Sequence, residues 1–150
     1  MSESITRKSK KKAPWHLWLI GVVSLLWNAM GALDFVMTQI EQEDYMAAFT
    51  PEQLEYFYGF PIWVIVTWAI AVWGSVLGSI FLLLRKTLAV WMFFFSMIAM
   101  IITTFHNYVL SDGLQVVGDN FSLIFTAVIF VVAVGLYFYS RYMLRKRFLK

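Results

Sequence analysis

The sequence contains no cysteine, which excludes disulfides, thiolate metal sites and thiol catalysis. It has only two histidines, His16 and His106, and no HExxH spacing, so it lacks a zinc-hydrolase helix. The two lie at opposite ends of their apolar runs, so within one chain they do not supply both axial ligands of a haem. Phosphate-binding loops, nucleophile elbows and dinucleotide fingerprints are missing as well. No enzymatic activity, cofactor or metal is expected. A further absence is positional: about 41–58 and 111–120 contain no Lys or Arg at all.

Apolar residues fill the rest. The chain has 150 residues, 61% hydrophobic and 19% aromatic, with a mean hydropathy of +0.71. Soluble domains are usually about 45–50% apolar, so this is a membrane composition. Crossing the hydrocarbon takes about 20 apolar residues in a helix. Four runs qualify, at about 15–40, 60–84, 87–110 and 121–143. Trp15, Trp18, Tyr56, Tyr58, Tyr108, Tyr137, Tyr139 and Tyr142 lie near their ends, as aromatic belts do. A closed barrel would alternate polar and apolar residues, which "IFLLL" and "MIAMII" do not. The expected fold is therefore all-α, an antiparallel bundle of four transmembrane helices over 14–144. Basic tails flank it at 1–13 and 145–150.

Lys and Arg fix the orientation. All 12 fall before run one, between runs two and three, or at the end of run four and beyond. The two other connections are acidic, with Glu41, Glu43, Asp44, Glu52, Glu55, Asp112 and Asp119. The positive-inside rule then places both termini in the cytoplasm of a multi-pass bacterial inner-membrane protein. A basic start, an apolar stretch and "AMG" at 29–31 also suggest a secretory signal. Against this, the apolar periodicity continues to Met37, and Asn28 would sit just before the cleavage motif. Lys and Arg are expected to draw the tails to anionic lipid, each contributing about 1 kcal/mol near the surface. They face lipid, so nucleic acid is not an expected partner.

Polar residues inside the runs are the remaining signal. At about 100° per residue, Gly21, Ser24, Asn28, Gly31, Asp34 and Thr38 share an arc of about 140° on helix one, opposite Val22, Met30, Leu33 and Val36. This face should point into the protein. In helix two, Thr67, Ala71, Gly74 and Gly78 share a face, with "GSVLG" a small-xxx-small motif. Gly74–Gly78 is expected to pack against the Gly21–Ser24–Gly31 side of helix one, or to form a dimer face. Ser96, Ala99, Thr103, His106 and Asn107 share a face of helix three; Asp119, Ser122, Thr126 and Ala133 share one of helix four. By depth, Asp34, His106, Asn107, Asp119, Asn120 and Ser122 all fall near the outer surface. They are expected to gather, with Asn28 deeper, in an outer-leaflet polar pocket centred on an Asp34–His106 or Asp34–Asn107 pair. The contrasting reading makes Asp34 and His106 wetted helix ends. In the first outer connection, "TPEQ" at 50–53 predicts a capping box and a short amphipathic helix with Leu54, Phe57 and Tyr58 on one face.

The stretches "PWHLWLIGVVSLLWNAMGALDFVMTQ" and "FTPEQLEYFYGFPIWVIVTWAIAVWGSVLG" resemble a family of small four-span proteobacterial inner-membrane proteins often labelled sugar transporters. The resemblance covers about residues 14–84; helices three and four match only in pattern. It implies a small inner-membrane protein and no particular functional residues. Two functions are expected from the residues. One is transport or binding of a small polar solute or ion at the outer pocket, in a parallel homo-oligomer. Small multidrug-resistance transporters also have four spans and an acidic residue in helix one, but their antiparallel assembly needs a weak charge bias, and here the bias is strong. The other is a non-transport accessory or scaffold role through helix packing and the acidic outer loop.

Overall fold

The computed structural model describes residues 11–150, so most of the first basic tail lies outside the described residues. The chain forms α1 (Trp15–Gln39), α2 (Glu43–Met46), α3 (Pro51–Tyr58), α4 (Ile62–Leu83), α5 (Leu88–Phe105), a π-helical turn (His106–Leu110), α6 (Gly113–Val117) and α7 (Asn120–Arg145). No strand occurs among the described residues. Four helices, Trp15–Gln39, Ile62–Leu83, Leu88–Leu110 and Asn120–Arg145, are long and apolar enough to cross a membrane. The three short helices lie in the two acidic connections.

The spans pack in the order α1–α4–α5–α7. Large apolar side chains cover the outside, with Trp15, Ile62, Phe121 and Val131 each at least 70% exposed. Serines are buried among the apolar core residues, at Ser24, Ser79, Ser96 and Ser140. Both features suit a lipid solvent, in which helices associate through close approach and interhelical hydrogen bonds rather than by hiding apolar surface.

The glycine faces pack, but not against each other. A Cβ on Gly78 would lie 2.7 Å from the Phe93 ring of α5, and one on Gly74 would lie 3.2 Å from Ser96 Cβ. Gly74–Gly78 therefore faces α5, which corrects the expected contact with helix one. Helix one's own glycines meet α4: Gly21 abuts Leu83, and Gly31 approaches Val72. Larger side chains fill the space at Gly21, Gly31 and Gly78, whereas at Gly74 the α5 backbone itself comes close beside Ser96. Farther out on the α4–α5 seam, Thr103 donates to Thr67 at 2.9 Å.

Three helices end in the same way. Glu41, Arg85 and Arg147 are left-handed, at φ 52°, 57° and 61°. The next residue's N–H returns to the carbonyls of Met37, Phe81 and Met143. These are Schellman stops built without the usual glycine.

The basic end is tied together. Thr87 N–H donates to Lys150 O and Lys150 N–H to Arg85 O. Arg85 donates from Nε to Phe148 O and from Nη2 to Lys11 O, both at 2.9 Å. The segment expected as a second tail is thus docked, and Leu149 joins a buried cluster with Leu17, Leu82, Phe93, Leu136 and Met143.

Candidate functional site

Asn28 is held by α4. Its Nδ2 donates to Ser75 O at 3.2 Å and to Ser79 Oγ at 3.0 Å. On the other side of α4, the Ser75 and Ser96 hydroxyls lie 2.5 Å apart, and Ser96 also donates to Ala71 O. One polar seam therefore runs from α1 through α4 to α5. Ser75 and Ser79 on α4 are the partners that sequence periodicity missed, because serine on an apolar helix reads equally well as a packing residue.

Asp34 is half-buried and bonds to the connection between α1 and α4. Tyr45, on α2, donates its hydroxyl to Asp34 Oδ1 at 2.5 Å. Gln42 caps α2 by accepting from Tyr45 N–H at 2.7 Å. Burial raises the Tyr45 phenol to about 12, and the hydrogen bond to Asp34 and its negative charge push the same way.

His106 is buried at the start of the π-turn. Its Nδ1 lies 3.0 Å from Asn107 Oδ1. The edges of Phe60 and Trp63 meet the ring, with centroids 5.8 and 5.2 Å away. A π-turn frees carbonyls from the α-helical ladder. Here Ser111 Oγ donates to the carbonyls of His106 and Asn107, and Tyr56 of α3 lies 2.8 Å from Ser111 Oγ. Gly113 allows this closure, since a Cβ there would collide with Asn107 O. The predicted capping box forms, with Thr50 and Gln53 bonded reciprocally. Gln53 also donates to Val116 O of α6 at 3.4 Å, which lays α3 over the bundle's outer end.

Asp119 is the N-cap of α7. It accepts from Ser122 Oγ at 2.6 Å and from Ser122 N–H at 3.3 Å. These bonds hold its carboxyl below the usual range. Asn120 opens the helix and is exposed.

The groups expected to form one pocket are thus engaged in separate places. The Asp34 partner is Tyr45 rather than His106 or Asn107, which corrects the expected pair. The cause is the packing order: α4 packs against both α1 and α5, so the helix-one and helix-three faces meet α4 rather than each other. Among the described residues, no group of three His, Asp or Glu is placed to hold a metal ion.

An opening between two spans lies elsewhere. A cleft of about 380 Å³ lies between α1 and α7, walled by Leu19, Val23, Ser24 and Trp27 on one side and Val132 and Leu136 on the other. Ser24 turns its hydroxyl back to Gly21 O at 3.1 Å, and the wall presents only apolar surface to the cleft. Comparison with protein-family models, curated proteins and solved structures finds no match to this chain.

Proposed function

We propose that this is a multi-pass bacterial inner-membrane protein, with both termini cytoplasmic, that acts as an accessory or scaffold protein through its embedded surfaces and its acidic outer cap. The carrying observation is that Asn28, Asp34 and Asp119 are bonded within the chain and line neither the α1–α7 cleft nor a second one beside Glu41 and Glu43. Asn28 ties α1 to α4, Asp34 accepts from Tyr45, and Asp119 caps α7. A solute site needs polar groups convergent on a concave wall, whereas the cleft between the spans α1 and α7 is apolar. The test is purification of the protein from its own membranes in mild detergent, with and without substitution of residues 41–58. A partner that co-purifies and is lost on substitution supports the reading. Solute uptake abolished by Asp34→Asn would sink it.

A second reading keeps one observation. Asp34 is an acidic residue inside the first span, and its recorded hydrogen bond comes from a single tyrosine. That suits binding or transport of a cation or small polar solute by a parallel homo-oligomer. The resemblance of residues 14–84 to four-span proteins labelled sugar transporters belongs with it. In both readings the basic end meets the anionic cytoplasmic leaflet.

A further inference from the structure

The cleft between α1 and α7 is framed at both ends. Toward the basic end, His16 Nδ1 and Tyr139 Oη are 2.6 Å apart across the seam. Toward the outer end, the Trp27 and Phe125 rings meet at 5.9 Å. Between these bridges the cleft runs about 12 Å along α1, from Leu19 to Trp27. The two crossings limit what enters. A transmembrane helix is about 10–12 Å wide and cannot lie in a seam bridged twice. A polar solute would find no partner there, because the wall presents only apolar surface to the cleft. A flexible hydrocarbon chain meets both limits: it can pass outside the His16–Tyr139 bridge and bend in above it.

The mouth has its own chemistry. Lys11 and Lys12 are exposed just before α1, and the exposed Lys146 caps α7. Lys11 Nζ donates to Lys146 O at 3.0 Å, which draws the two helix ends together. The acidic side chains of the described residues belong to the outer third of α1 and the outer connections, at the opposite end. The cationic mouth therefore has no acidic side chain beside it among the described residues. An apolar slot with ammonium groups at one end is complementary to a lipid with an anionic headgroup.

We propose that the α1–α7 cleft and the Lys11–Lys12–Lys146 cluster form a site for one anionic phospholipid, an acyl chain in the cleft and the phosphate at the lysines. This rests on the reading that the basic end faces the cytoplasmic leaflet. Trp15, 73% exposed beside His16, would sit at headgroup level next to it.

Native mass spectrometry tests the site on the full chain, extracted in mild detergent and offered phosphatidylglycerol and phosphatidylethanolamine with the same acyl chains. The expected result is one retained phosphatidylglycerol, preferred over phosphatidylethanolamine. Lys11→Gln and Lys146→Gln should each lower that preference about fivefold. Val23→Trp, which fills the cleft from its rim, should empty the site. Val131→Trp, on an exposed face outside the cleft, should leave it loaded. Equal retention of the two lipids by the unmodified protein overturns the proposal. So does retention unchanged by Val23→Trp, or a dimer of this chain that Val23→Trp abolishes. If Val23→Trp does not fold, the lysine variants decide alone. The assay reads binding whichever way the chain is oriented, so a wrong topology, visible in reporter fusions, is a separate failure.

Discussion

Asn28 shows what an amide accomplishes in a bilayer. Hydrocarbon offers no hydrogen-bond partner, so the side chain must find one in the protein. It finds two on α4, a carbonyl and a hydroxyl. Its direction was legible from the clustering of small and polar residues on one arc of helix one. Its partner was not, because periodicity gives a face and not a neighbour. The glycines carry the same lesson. Gly78 and Gly135 look alike in sequence, each inside an apolar helix. In the structure a Cβ at Gly78 would strike the Phe93 ring, whereas one at Gly135 meets nothing within 4 Å. Gly78→Ala should therefore destabilise the protein by about 1–3 kcal/mol through overpacking. Gly135→Ala should leave it unchanged or gain up to about 1 kcal/mol of helix propensity. Thermal unfolding in one detergent checks both. Equal melting temperatures for the two variants would mean that the α4–α5 seam is loose.

At the scale of elements, the outer cap divides into a readable part and an unreadable one. The α3 capping box follows from "TPEQ" by local chemistry alone. The α2 helix has four residues, too few for any periodicity, and it exists because Gln42 caps it and Asp34 holds Tyr45. The π-turn is equally silent in sequence, since its carbonyls are satisfied by Ser111, the residue just after it, and by Tyr56 of α3. A prediction attaches to the Asp34–Tyr45 contact. The Tyr45 phenol is raised in the folded protein, from near 10 to about 12. Its contribution to stability is then complete below pH 10 and is lost as pH rises toward 12. Tyr45→Phe should remove about 1 kcal/mol at neutral pH, the usual worth of a hydrogen bond. That deficit should shrink above pH 10. Subtracting the variant's phenolate titration from the wild-type curve isolates Tyr45. A midpoint near 10 in the difference curve would show the contact to be absent in solution.

At the scale of the whole molecule, Lys and Arg do two kinds of work that composition alone cannot separate. Their segregation agrees with the four spans and carries the proposed orientation, because the positive-inside rule counts charges without regard to contacts. Their structural role was hidden, because a loop arginine looks the same whether free or clamped. Arg85 is clamped: its guanidinium reaches the carbonyls of Phe148 and Lys11, so one side chain joins the α4–α5 turn to the segment before α1 and the segment after α7. Arg85→Lys tests the two roles apart. Lysine keeps the charge, so both termini should stay cytoplasmic, as read by a cytoplasm-active reporter fused after Lys150. A lysine cannot reproduce the planar fork that reaches two acceptors at once. The variant should therefore lose about 1–3 kcal/mol, the range for hydrogen bonds from a charged donor. Protease susceptibility of the 146–150 segment should rise with it, since that segment is held through Arg85 and Thr87. A fully stable, protease-resistant Arg85→Lys protein would leave Arg85 with charge as its whole contribution. A reporter active only in the periplasm, on either protein, would instead reverse the orientation and move the basic end to the outer leaflet.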